Sequence, residues 1–278
     1  MPHPPPAPAA LTKAARRGIM GKMREEGPFV EKPPFALNRW QHRDYRAFVA
    51  YLRERAEPGY RALNARIVND PQCPLLGVRM PVLQACARAI ARGDWRGFLA
   101  LSRDDSHEEG MVAALVAGRA SSLPWPEGAP AVEGHIPRVH NWSLCDSFCT
   151  ACKGLAGQPA YTWSLCQRLV QGGSAPWEKR VGLVLAMTYL LWGDWAPLAV
   201  ELAAAAPAGE YYVDMARAWL LCTAWPRFPA LVEALLAEGR LDDFTHNKTL
   251  SKLRDSRLVA PEEKVRLCAL RRGKGAGR

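Results

Sequence analysis

Asn141-Trp-Ser-Leu-Cys145-Asp-Ser-Phe-Cys149-Thr-Ala-Cys152 is the stretch on which the fold turns. Its cysteines stand at the Cys-x3-Cys-x2-Cys spacing with which radical-SAM enzymes hold a 4Fe–4S cluster on thiolates. That chemistry needs a loop after a strand, inside an α/β barrel. Positions 145, 149 and 152 also fall on one face of a helix, where a thiol serves as a small core hydrophobe. The two readings demand different folds, and the rest of the chain chooses between them.

Outward from this stretch the apolar spacing is helical nearly everywhere. Upstream, Tyr45, Phe48, Val49 and Leu52 recur at helical intervals. Pro81 opens a segment carrying Leu83, Cys86, Ala89 and Ile90, and Gly93 closes it. Ser106 with Glu109 forms a capping box ahead of Met111-Val-Ala-Ala-Leu-Val. Downstream, residues 178–191 and 211–224 are long and strongly apolar. Asp242 or Asp243 caps a helix running through Leu253, and Pro261-Glu-Glu opens the last one, where acidic residues suit the helix dipole. About a dozen short helices and no period-2 strand predict an all-α fold of stacked helical pairs. With no strands to build a barrel, Cys145, Cys149 and Cys152 are expected to be buried helical thiols.

The ends differ. Residues 1–35 begin with Met-Pro-His-Pro-Pro-Pro and read as a disordered Pro-rich, basic arm; residues 273–278 read as a basic tail. Between them, 36–272 is expected to form one helical-repeat domain. Across 278 residues, 37 Lys+Arg face 27 Asp+Glu, a net charge of +10 that favours a polyanionic partner. Eight cysteines without a small secreted-domain pattern are expected to be reduced, in a cytoplasmic protein. The longest apolar run, residues 181–192, is too short to span a bilayer, so no membrane association is expected. His135 and His140 lack companions at metal-ligand spacing, and His107-Glu-Glu lacks the second histidine of a zincin. No Gly-rich phosphate loop is present, so neither a metal nor a cofactor is expected.

Trp142 and Asp146 stand four residues apart, which places indole and carboxylate on one helix face. Core packing is the ordinary fate of a tryptophan in an apolar helix, and the chain has ten of them. Six segments taken in order nevertheless resemble the DNA alkylation repair family of AlkD-like helical-repeat DNA glycosylases. They are Leu76-Gly-Val-Arg-Met-Pro81, His107-Glu-Glu-Gly-Met-Val, Val139-His-Asn-Trp142-Ser-Leu-Cys-Asp146, Trp177-Glu-Lys-Arg180, Glu210-Tyr-Tyr-Val-Asp-Met-Ala-Arg-Ala-Trp219 and Thr245-His-Asn-Lys248-Thr-Leu-Ser-Lys252. The resemblance spans about residues 40–272.

The resemblance implies an α-solenoid: a curved stack of HEAT-like antiparallel helical pairs whose basic concave face grips duplex DNA. It implies hydrolysis of the N-glycosidic bond of cationic alkylpurines such as 3-methyladenine and 7-methylguanine, without base flipping. Carried over by position, Asp146, Trp142 and Trp219 are the catalytic residues. Arg180, Lys179, Lys248 and Lys252 contact DNA, and the protein acts as a monomer. The stretch from Ala65 to Pro74 offers no aromatic to contact DNA. Two further readings therefore stand beside excision: a non-catalytic DNA-structure binder of the same superfamily, and a HEAT-like protein-binding scaffold.

Overall fold

A computed structural model describes residues 32–68, 70, 73–124, 127–173 and 175–273. Residues 1–31 of the expected arm, and 274–278 of the expected tail, lie outside the described residues. These contain 14 α-helices and no strand. The all-α expectation holds. The chain divides into two compact units: one up to Asn64 together with Cys73–Ala113, the other Ala65–Gln72 with everything from Ala114.

The first unit holds α1 (His42–Glu54), most of α2 (Pro58–Val68), α3 (Met80–Ile90), α4 (Trp95–Leu101) and the start of α5 (His107–Ala120). Its core is aromatic. Phe48 is fully buried and meets Phe35 and Phe98 edge-to-face, at centroid distances of 5.4 and 5.3 Å. Each such pair adds about 0.5–1.5 kcal/mol beyond area burial. Phe35, at the end of the stretch read as the arm, is buried in this core.

Two carboxylates at the start of α5 organise the polar side of this unit. Glu109 accepts hydrogen bonds from the Ser106 hydroxyl (2.9 Å) and from Tyr45 OH (2.7 Å), while its own N–H donates to Ser106 Oγ. This is the expected Ser106–Glu109 cap, with the carboxylate turned to hydroxyls. Glu108 accepts three backbone N–H groups, from Leu76 (2.9 Å), Gly77 (2.7 Å) and Val78 (3.2 Å). Gly77 has φ +96°, and a Cβ there would stand 2.7 Å from the Glu57 carbonyl oxygen. Only glycine fits. Leu76-Gly-Val and His107-Glu-Glu, which stand apart in sequence, are therefore one local structure.

The second unit holds α6 (Ala129–His135), α7 (Trp142–Ala151), α8 (Pro159–Gly172), α9 (Pro176–Tyr189), α10 (Trp195–Ala205), α11 (Tyr211–Ala224), α12 (Pro229–Ala237), α13 (Asp243–Asp255) and α14 (Pro261–Cys268). Proline in the first turn opens α6, α8, α9, α12 and α14, as its fixed φ favours. Short connections make successive helices neighbours. Helix α9 packs on α7, α8 and α11, and α11 packs on α13. So α7, α9, α11 and α13 run side by side as one layer. Helix α10 touches α8 and α12 in a second layer. This is the expected stack of helical pairs. Gly182 of α9 makes one contact close: a Cβ there would lie 2.9 Å from Val170 Cγ2 of α8.

Cys145, Cys149 and Cys152 are fully buried on the inner side of α7 and at its C-terminus. The Cys149 thiol lies 3.8 Å from the Val181 carbonyl oxygen. Burial pushes the thiols of Cys149 and Cys152 far above the ordinary range, so they stay protonated. They pack α7 against α9.

Candidate functional site

Helix α7 begins where Asn141 caps it: the Asn141 side-chain oxygen accepts the Leu144 N–H at 2.9 Å. The Asn141 amide donates in turn to Asp70 (3.0 Å), and His140 Nε2 stands 3.5 Å from the same carboxylate. The cap fixes the rotation of α7. Leu144, Cys145, Phe148 and Cys149 turn inward; Trp142 and Asp146 stay half-open on the other face. The expected pairing of Trp142 and Asp146 on one face is therefore present. The Trp142 indole N–H donates to the Ile67 carbonyl at 3.3 Å.

Asp146 meets Arg180 of α9. The arginine is 5% exposed, and its Nη2 donates to both carboxylate oxygens, at 2.8 and 3.2 Å. Nη1 donates to the Tyr212 carbonyl at the start of α11, at 2.8 Å. The buried Nε has no hydrogen-bond partner. Arg180 thus ties three adjacent helices of one layer and holds the carboxylate in place. The Asp146 side chain keeps 22% of its surface exposed. Burial raises its pKa above the ordinary aspartate value, while the positive charges of Arg180 and Lys252 pull it back down.

On α11, Tyr212, Met215, Trp219 and Cys222 are half-open at spacings of three and four, so they share one face. On α13, Lys248 and Lys252 are half-open one turn apart. Lys252 lies close enough to Asp146, Arg180, Lys248 and Cys222 for each to act on its charge. Burial is the main cause that lowers its pKa. Neither Lys248 nor Lys252 forms an ion pair among the described residues. Elsewhere arginines are matched: Arg79 with Glu57, Arg168 with Glu133, Arg266 with Glu233 and Glu263. A cation left unmatched beside a half-open carboxylate is available to an anionic ligand.

Of the residues expected at the site, Asp146 and Arg180 are in direct contact, and Lys252 acts on both through its charge, with Lys248 one turn back on α13. Trp142 and Trp219 lie on the half-open faces of α7 and α11. Lys179 is half-exposed in the first turn of α9, rotated about 100° from Arg180. Tyr212 was not singled out from the sequence. Its ring packs tilted against Trp177 at 4.8 Å, and its carbonyl accepts a hydrogen bond from Arg180 Nη1. A backbone acceptor leaves no mark on residue type.

No metal-holding group of three His, Cys, Asp or Glu occurs among the described residues, and no described helix is long and apolar enough to cross a membrane. Among curated proteins none matches the chain significantly. A family profile described as DNA alkylation repair enzyme matches residues 49–255, which takes in α7, α9, α11 and α13 with the residues just described. The chain belongs to the DNA alkylation repair enzyme family.

Proposed function

We propose that this DNA repair protein is a glycosylase that hydrolyses the N-glycosidic bond of cationic alkylpurines in duplex DNA. The observation that carries the reading is the Asp146 carboxylate, half-open to solvent yet held through both oxygens by a buried arginine. A cationic purine is already a good leaving group, so no strong general acid is required. As the C1′–N bond breaks, its electron pair neutralises the purine and positive charge grows on the sugar. A fixed anion opposite that charge stabilises the transition state more than the ground state. Water then bonds to C1′ and gives its proton to solvent.

The remaining residues divide the work. Lys248 and Lys252, unmatched by carboxylates, grip backbone phosphates. The indole faces of Trp142 and Trp219 contact the cationic nucleotide, each for roughly 0.5–2 kcal/mol. Arg180, buried and engaged with Asp146 and Tyr212, is a positioning residue for the carboxylate. Lys179 supports binding from the edge.

The test is direct. Duplex DNA carrying 7-methylguanine is incubated with the protein, and free base is measured. Release at a rate above the spontaneous one supports the proposal. One observation favours a second reading, a DNA binder that does not excise: the Trp142 N–H is committed to Ile67 rather than free for a ligand. Tight duplex binding with no release at any methylated base selects that reading.

A further inference from the structure

Lys252 is used above only as a charge, yet its setting suits a nucleophile. It sits half-open on α13, within electrostatic reach of Asp146 on α7, Arg180 on α9, Cys222 on α11 and Lys248 one turn back on its own helix. It has no ion-pair partner among the described residues. Burial first, then the charges of Lys248 and Arg180, shift its ammonium below the ordinary lysine range, against opposing effects of Cys222 and Asp146. More of the side chain is therefore the neutral amine. Lysines in such surroundings are the ones that form Schiff bases.

Excision beside Asp146 leaves a carbonyl. Once the purine is gone, C1′ carries a hydroxyl, and the ring opens to an aldehyde. We propose that Lys252 condenses with this C1′ aldehyde and cleaves the strand at the abasic site, an activity that rests on the glycosylase reading for its natural substrate. The amine nitrogen bonds to C1′, one proton is taken up from solvent and one water leaves, giving a protonated imine; the later hydrolysis returns that proton. The imine acidifies C2′. Asp146 takes the C2′ proton, the electrons form the C2′–C3′ double bond, and the C3′–O bond breaks. The 3′ phosphate departs with its electron pair. Water returns to C1′ and releases the lysine together with an unsaturated aldehyde on the cut strand. Atoms and charge balance without an oxidant or a metal.

The experiment bypasses excision. A duplex with one preformed abasic site is mixed with saturating protein and borohydride, which reduces the imine to a stable amine. The expected result is a covalent protein–DNA adduct whose modified peptide contains Lys252. Lys252→Arg keeps the positive charge but forms no imine, so adduct per bound duplex should fall at least about tenfold. Lys252→Gln is run in parallel, with a melting curve for each variant. An adduct that persists undiminished in both folded variants, or that maps elsewhere, overturns the proposal. So does a wild type that excises 7-methylguanine yet traps no abasic DNA, and that result leaves the glycosylase reading intact. An adduct at Lys252 without excision supports the proposal and contradicts the glycosylase reading instead.

Discussion

Two buried arginines on neighbouring helices, Arg180 of α9 and Arg217 of α11, serve opposite ends. Arg217 is 2% exposed and every nitrogen is used. Its Nε donates to the Ala203 carbonyl (2.9 Å) and Nη2 to that of Ala204 (3.3 Å). Its Nη1 reaches Asp214 (2.9 Å), Asp242 (2.6 Å) and Thr245 Oγ1 (3.1 Å). Asp242 also caps α13 through the Thr245 N–H. One side chain thus joins α10, α11 and α13. Arg180 also joins three helices, but its carboxylate partner keeps an open side and its Nε is unsatisfied. A fully satisfied buried network specifies structure. A network with one open member has capacity left for a ligand. The difference separates scaffold from site within one helical layer.

The comparison breaks most visibly at Arg217. Arg217→Met should cost about 3–5 kcal/mol, because it strands Asp214 against the core. Urea unfolding measures it, and a loss under about 1 kcal/mol would demote the network to ordinary packing. Arg180→Gln should act chiefly on chemistry. Burial already raises the Asp146 pKa, and Arg180 opposes that rise. In the wild type, activity that needs the anion should therefore fall, as pH drops, through a value above the usual aspartate range of about 3.9. Removing the arginine should move this acid limb further up. The stability sign is the reverse: a raised folded pKa means that stability is lost as pH climbs from the unfolded value to the folded one. A pH–rate profile for both proteins checks the shift, and coincident acid limbs would contradict it.

How much of this was legible in the sequence differs between the same two regions. The helices were readable: residues 211–224 form α11 as expected, Pro81 lies in the first turn of α3, and Asp242 caps α13. Apolar period, proline and cap residues are local signals, and these ends obey them. Trp142 and Asp146 were readable as a pair because four-residue spacing is also local. The Arg217 network left one clue, an arginine inside the apolar run Met215-Ala-Arg-Ala-Trp219, three residues after Asp214. Its link to Asp242 had none. Asp70 with Asn141, 71 residues apart, and Tyr212 with Arg180 were equally silent. The division into two units was also hidden at two of its three boundaries, which fall within α2 and α5, where helical spacing continues without a break.

A smaller effect sharpens the site half of the comparison. Lys248 forms no ion pair among the described residues, and the proposed function sets it on backbone phosphate. Lys248→Gln should weaken duplex binding modestly at every sequence and reduce the slope of log K against log salt by about one. Titrations at several salt concentrations measure this, and an unchanged slope would remove Lys248 from the interface.

The central claim is that the Asp146 anion stabilises positive charge on the sugar. The decisive measurement is single-turnover release of 7-methylguanine by wild type and Asp146→Asn, with duplex affinity and melting temperature followed in parallel. Asparagine keeps the shape and an oxygen for Arg180 but removes the charge. The account predicts retained binding and a rate lower by about 10²–10³, comparable to losing one group that stabilises transition-state charge elsewhere. Excision within about twofold of wild type, in a folded variant that binds DNA equally well, would contradict it.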